Sequence, residues 1–278
     1  MPMNSINTNV QSLIALQALN TTNDQISVIQ KRVSTGFRVA DARDDGGAFA
    51  VAQSVRSDMA GVVAVNEQLG GVKGILETTF ASLSVVSDTM KQVRATLTRL
   101  ADGSINAEQR KTYEQQYNLL AGQIASFIDD SLYNGRTLLS TNSTANGGDI
   151  TAIRNETGGT FTIQAVDGQT LKLPTAAPTS AIDAQSWVQT GGNFDSRDQA
   201  ISSSLNKFGT SMSFLDNQIG YNTKKVDAMS GGLGALIDAD LAKESSSLEA
   251  LRVRQQLGVQ TLSLANQGPQ VLLGLFRS

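Results

Sequence analysis

Between Ala48 and Leu100, residues at alternating intervals of three and four are apolar almost without exception: Ala48, Val51, Val55, Asp58, Val62, Val65, Leu69, Val72, Leu76, Thr79, Leu83, Val86, Met90, Val93, Leu97 and Leu100. Only Asp58 and Thr79 in that series are polar. A seven-residue repeat held this long keeps one seam facing a partner helix, and at ~1.5 Å per residue it predicts a helix on the order of 80 Å long. The prolines permit it, because Pro2, Pro174, Pro178 and Pro269 leave residues 3–173 and 179–268 free of the strongest helix breaker.

The same spacing returns twice. Asp102-Gly103 supplies a stop, Asn106 with Gln109 resembles a capping box, and a second run carries Tyr113, Tyr117, Leu120, Ile124 and Phe127 before Asn134-Gly135. A third runs through Ile201, Leu205, Phe208, Met212, Leu215, Ile219, Asn222, Val226, Met229 and Leu233, with Asn222 as the polar residue able to set register. Three seams of one period predict a mainly α fold, an elongated bundle of long antiparallel helices. Its rod seam is expected to join Val62, Leu69, Leu76, Leu83, Met90 and Leu97 to Leu205, Phe208, Met212, Leu215 and Ile219.

Around 141–194 the pattern changes. Thr141 to Gly148 has loop composition, and Phe161, Ile163 and Ala165 alternate before Asp167-Gly168 with Leu171 and Leu173 alternating after it, which predicts a small β-hairpin turning at Asp167-Gly168. The expected division is a terminal helix over 1–40, a rod half over 41–140, a β/loop insertion over 141–194, the second rod half over 195–237 and a terminal helix over 238–278. Gly231-Gly232-Leu233-Gly234 reads as a hinge between two helices, since it lacks the preceding strand and full fingerprint of a phosphate loop.

The two ends carry the low charge of this chain, in which 17 % of residues are Asp, Glu, Lys or Arg against the usual ~25 %. Residues 1–30 contain one charged side chain, Asp24, and residues 255–278 contain one, Arg277. Leu19, Ile26, Ile29 and Val33 fall on one helical face. Leu248, Leu251 and Leu262 share a second, and Val253, Leu257 and Leu264 a third, so each end can offer apolar surface to more than one neighbour. Residues 241–276 contain thirteen Leu, Val or Phe side chains, whose burial falls short of the entropy lost in ordering the segment. The terminal segment is therefore expected to fold as it assembles.

Little chemistry is available. With no Cys and no His, the chain lacks the usual zinc ligands, thiol nucleophiles and imidazole bases, and no Gly-x-Ser-x-Gly elbow or Asp-x-Asp-x-Asp-Gly loop is present. The absence of Cys leaves the redox compartment open. Asp44-Asp45 and Asp129-Asp130 are adjacent pairs, whose side chains diverge by ~100° on a helix and read as caps, surface charge or local structural pairing. Lys73 and Arg94 read as solvated or ion-paired groups on the long helix. A net charge of −3, with scattered Lys and Arg, speaks against nucleic acid. Membrane insertion is not expected: no run of 18 apolar residues occurs, and the ends lack the basic face of an interfacial helix. The expectation is a structural protein without catalytic residues, metal or cofactor, whose main partner is itself.

The residues also carry a family likeness. Ile6-Asn7-Thr8-Asn9, Lys31-Arg32-Val33-Ser34-Thr35-Gly36-Phe37-Arg38-Val39 leading to Ala42-Arg43-Asp44-Asp45, Gln92-Val93-Arg94, and Tyr133-Asn134-Gly135-Arg136-Thr137-Leu138-Leu139 resemble the N-terminal landmarks of bacterial flagellin. Ala265-Asn266-Gln267-Gly268-Pro269-Gln270 with Leu272, Leu273, Leu275 and Arg277 resembles its C-terminal pattern. The likeness covers about 1–140 and 200–278, in a short form without large outer domains. Gly46-Gly47-Ala48-Phe49 replaces an Ala-rich stretch, and Ala95 stands where a Glu is common in the segment that innate receptors recognise.

The resemblance implies a subunit that polymerises into the flagellar filament for swimming motility. Terminal helices would form a coiled-coil inner core through Ile6, Val10, Leu13, Leu19, Ile26, Ile29, Val33, Leu248, Leu251, Val253, Leu257, Leu262, Leu264, Leu272, Leu273 and Leu275. It further implies sister flagellins as co-subunits, an export apparatus and chaperone, hook-associated and cap proteins as partners, and an extracellular location reached without a cleaved signal peptide. A hook-filament junction protein is the alternative with the same helical ends.

Overall fold

The computed structural model describes residues 9–143 and 146–275, with side chains through Gln267. In order, the elements are α1 (Val10–Thr35), α2 (Gly46–Leu100), α3 (Ala107–Asp129), β1 (Ile150–Ile153), β2 (Thr160–Ile163), α4 (Gly168–Leu171), α5 (Ala181–Val188), α6 (Asn193–Ile237) and α7 (Leu241–Leu275). The fold is mainly α, with long helices and one small antiparallel sheet. The chain divides into two compact units, one of residues 1–57 with 228–278 and one of residues 58–227.

In the unit 58–227, α2 and α6 run antiparallel, as the order of their contacts shows: Asn66 meets Asn222, Lys73 pairs with Asp216 at 2.6 Å, and Arg94 pairs with Asp198 at 2.9 Å. Arg94 also lies over the ring of Phe194, 5.0 Å from its centroid. α3 folds back along α2 after a capping box in which Asn106 accepts from the Gln109 backbone and the Gln109 side chain accepts from that of Asn106. The core of this unit runs through Leu69, Leu76, Leu83, Met90 and Leu97 of α2, Tyr117 and Ile124 of α3, and Phe194, Phe208 and Leu215 of α6, all fully buried. Thr79, the polar residue in the seam, is also fully buried, and its hydroxyl donates to the carbonyl of Ile75 one turn earlier.

Besides the polar Asp58, which is exposed, two apolar residues of the heptad reading lie off the buried face. Val51 is 54 % exposed while neighbouring Ala52 is buried, and Phe127 is 37 % exposed while Ile128 is buried. A helix turns every 3.6 residues, so a strict 3.5 count drifts and the contact passes to the adjacent position at the ends of a run.

The hairpin exists, but it pairs different residues from those expected. β1 and β2 are antiparallel with Ile150 opposite Ile163 and Ile153 opposite Thr160, and the connection is Arg154 to Gly159. Phe161 stacks on Phe214 of α6 at 4.1 Å, which seats the sheet on the helices. Asp167-Gly168 is no hairpin turn: the Asp167 side chain caps α4, accepting from the Gln169 backbone. Glycine is needed at 168 for close approach, because a Cβ there would lie 2.5 Å from the Leu139 carbonyl oxygen and 2.8 Å from Ile128 Cγ2. Gly168→Ala is expected to destabilise this unit by about 1–3 kcal/mol in thermal denaturation, since backbone and a packed methyl must both move.

The turn between β1 and β2 is fastened by a polar network that the sequence pattern did not show. Asn222, 1 % exposed, donates to Asn66 Oδ1 at 2.9 Å and to the Arg154 carbonyl at 3.2 Å, and accepts from Gln218 at 3.0 Å. Beside it Lys225 bonds Glu156 at 2.5 Å, which raises the lysine and lowers the carboxylate from their ordinary pKa values. Glu156 approaches α2 at Gly61, where a Cβ would stand 3.2 Å from that of Glu156. Asn222→Leu leaves the half-buried Asn66 without its Asn222 donor and puts an apolar side chain against the Arg154 carbonyl. A loss of about 1–3 kcal/mol is expected, read as a fall of about 2–10 °C in melting midpoint.

On the other side of the same core, Tyr117 hydrogen-bonds the Pro174 carbonyl at 3.0 Å, and its burial raises the pKa of the phenol. Trp187 of α5 meets the Tyr117 ring edge-on, with centroids 5.9 Å apart.

In the other unit, α1 pairs with α7, and the two connecting segments lie together. α1 ends at Gly36, whose φ of 75° is left-handed and whose N–H returns to the Arg32 carbonyl. Phe37 then bridges Asp238, Arg38 and Val39 both donate to the Ile237 carbonyl, and Ala239 donates to that of Gly36. Val39, Ala52 and Ile237 are buried beneath, with Phe37, Phe49 and Leu233 around them. α6 is helical through Gly231, Gly232 and Gly234 and breaks only at Asp238 to Asp240, so the expected glycine hinge is instead an open stretch of helix. Helix hydrogen bonds need no side chain, and glycine weakens a helix without having to end it.

Candidate assembly surface

Helices α1 and α7 each carry the caps that fix their starts. The Asn9 side chain accepts from the Ser12 backbone, and Asp240 Oδ1 accepts from the N–H groups of Ala242 and Lys243 at 3.1 Å each. The two helices lie antiparallel, so that Asn9 donates to the Ala265 carbonyl at 2.8 Å, Asn23 accepts from Gln255 at 2.8 Å, and Arg32 pairs with Glu244 at 3.2 Å. Ser12 adds a bond to Asn266 at 2.8 Å. Gly258 lets Leu19 lie close, as a Cβ there would sit 3.3 Å from Leu19 Cδ1. Most of these links are between neutral polar groups.

The pairing uses only part of the apolar surface. Ile26 and Leu251 are buried, and Leu19, Ile29, Val33, Leu248 and Leu262 are half-buried along the line of contact. Val10, Leu13, Val253, Leu257 and Leu264 remain exposed, Leu264 at 70 %. Ile14, Leu16, Val28, Leu241 and Val259 join them, although the spacing argument did not single them out. No single helical period joins them, and several sit beside charged residues, Val253 between Arg252 and Arg254 and Leu241 after Asp240. Ile6 lies outside the described residues, and the side chains of Leu272, Leu273 and Leu275 lie outside the described side chains.

The rod-seam residues stand differently. Val62, Leu69, Leu76, Leu83, Met90, Leu97, Phe208 and Leu215 are fully buried, and Leu205, Met212 and Ile219 are half-buried. These side chains are committed inside one chain, whereas the exposed set on α1 and α7 is left uncovered by the described residues. A concentration of large exposed apolar side chains marks a surface for another macromolecule.

The acidic pairs take structural roles. Asp44 bonds Lys31 at 2.7 Å, Asp45 Oδ1 accepts from the Ala48 backbone at the start of α2, and Asp129 pairs with Lys172 at 2.7 Å. Among the described residues no group of three or more acidic, His or Cys side chains is placed to hold a metal ion, and no helix is long and apolar enough to cross a membrane.

Comparison with known proteins gives this surface a context. Residues 6–144 match the family model described as the bacterial flagellin N-terminal helical region, and residues 193–276 match the bacterial flagellin C-terminal helical region. Flagellin FljK of Caulobacter vibrioides is 32 % identical over the whole of both chains, and a flagellin of Brucella melitensis is 32 % identical over 99 % of this chain and all of its own. Among solved structures, Bacillus cereus flagellin covers 66 % of this chain and 94 % of its own at 19 % identity, with a TM-score of 0.36.

Proposed function

We propose, for a chain that belongs to the bacterial flagellin family, that the exposed apolar faces of α1 and α7 are the surfaces through which its copies join. As a flagellin the chain is a structural subunit of the flagellar filament, not an enzyme, and its partners are copies of itself and sister flagellins. The observation that carries the finer reading is the contrast between the two sets of leucines. Those of the rod seam are buried or half-buried within the unit 58–227, while Leu13, Leu257 and Leu264 at the ends are open to solvent. Head-to-tail contacts that do not close on themselves build a helical polymer, and apolar burial repeated at every subunit drives its growth.

In this reading 1–40 and 238–278 form the inner core of the filament, 41–140 and 195–237 the surrounding rod, and 141–194 an insertion on the outer side. The chain is exported through the flagellar channel with the help of a chaperone and adds at the distal end beneath a cap protein. Family membership supports these steps. The test is direct: purified full-length chain, seeded with short filament fragments, is expected to grow into long fibres in electron micrographs. Growth that stops at short oligomers would overturn it.

A further inference from the structure

The two helix breaks of the unit 1–57 with 228–278 do not satisfy their own backbones. Gly36, just past α1, gives its carbonyl to the N–H of Ala239 at 2.9 Å, and Ile237, at the end of α6, takes the N–H groups of Arg38 at 2.7 Å and Val39 at 3.2 Å. The Arg38 guanidinium reaches the Leu236 carbonyl at 2.5 Å. Each break thus supplies the hydrogen-bond partners of the other, and opening either one orphans polar groups in both. The apolar floor is also shared, because Val39 from one break and Ile237 from the other are buried in one cluster with Ala52 of α2.

What holds the 36–45 segment in place is ionic. Lys31, near the end of α1, puts its ammonium 2.9 Å from Asp41 and 2.7 Å from Asp44. Asp44 Oδ2 also accepts from the backbones of Ala40 and Asp41, at 3.0 and 3.1 Å, and Asp41 Oδ1 accepts from that of Arg43 at 2.8 Å. One side chain therefore ties the end of a helix to the far end of the loop that leaves it. Its hydrogen bonds to Asp44 and Asp41 raise the Lys31 pKa, and bonds from Lys31 lower both carboxylates. The cluster stays fully ionised from above the ordinary carboxylate range to below the ordinary lysine range. Its contribution declines as pH falls from the ordinary carboxylate value through the lowered ones, or rises from the ordinary lysine value through the raised one.

We propose that the two breaks form a single joint locked by Lys31, so that removing or screening the Lys31 charge opens the Gly36–Ala40 and Ile237–Ala239 segments together. The joint is then a cooperative local unit, distinct from the core of residues 58–227.

Amide hydrogen exchange by mass spectrometry, on filaments of the full chain, reads this directly. In Lys31→Met, peptides covering 36–40 and 237–239 are expected to exchange about tenfold faster in step, while a peptide within 83–97 is unchanged and Lys31→Arg behaves as the native chain. In unsubstituted filaments, raising salt from about 0.1 M to about 1 M shortens the screening length from ~10 to ~3 Å and should accelerate the same two peptides together. This second arm does not depend on the variant assembling. Faster exchange in 36–40 alone, or in neither peptide, under both treatments would show that Lys31 orders only its own loop and would overturn the joint.

Discussion

Leu264→Asp is expected to abolish filament growth while leaving the isolated chain as helical as before. The side chain is 70 % exposed in the single chain, so a carboxylate there meets water and costs the monomer little. Between copies the same carboxylate would be buried without a partner, on a stretch of α7 whose described residues from 255 onward carry no charge. An unpaired buried charge costs several kcal/mol, and at about 1.4 kcal/mol per tenfold even ~3 kcal/mol raises the concentration needed for growth more than about 100-fold. Leu257→Asp should act in the same direction and less strongly. Arg254 lines the same groove of α1 and α7 three residues earlier and can partly neutralise the new charge. Ile182→Asp, at a side chain 77 % exposed on α5, is the control and should polymerise normally. Normal fibres from Leu264→Asp, seen by electron microscopy and sedimentation, would remove α7 from the interface.

Deleting 1–40 and 240–278 together is expected to give a soluble helical monomer that unfolds cooperatively and does not polymerise. The main core draws its buried side chains from Val65 to Leu215, with Ile219 packed at its edge, and none of these is removed. Both ion pairs between α2 and α6 and the Asn222 network also stay within the fragment. What is lost is the shared floor of the two breaks, since Phe37 and Val39 go while Ala52 and Ile237 remain. The first turns of α2 and the last of α6 should therefore fray, and circular dichroism should show strong helix with a single thermal transition. A largely unfolded fragment would mean that the core between Val65 and Leu215 needs the terminal helices to form.

The long helices were legible because a buried seam leaves a period that survives in one sequence. Val62 to Leu97 could be read off by counting, and among the apolar positions the count failed where 3.5 and 3.6 part company, at Val51 and Phe127. The capping box at Asn106 was equally plain, because its two partners are three residues apart. The sheet was harder. Phe161 and Ile163 do lie in a strand, but their partners are Ala152 and Ile150 upstream rather than Leu171 and Leu173 downstream, and a short alternating run carries no record of which neighbour it pairs with. Gly168 gave a true signal for the wrong reason, since glycine serves a turn and a close approach alike. Asn222 could be flagged from its place in the seam, yet Arg154 and Asn66, which satisfy it, come from distant segments. At the ends, the exposed set was only partly visible because a surface awaiting another copy has no obligation to a single helical face.

The edge-on contact of Trp187 with Tyr117 has an optical consequence. Trp187 is the only indole in the chain, and it sits in the 58–227 unit, while α1 and α7 contain no aromatic side chain at all. Its fluorescence is a built-in gauge of whether that core is folded, and it carries no direct report from the terminal helices. Light scattering then follows growth and tryptophan emission follows folding, so the same cuvette distinguishes a subunit that cannot join from one that cannot fold.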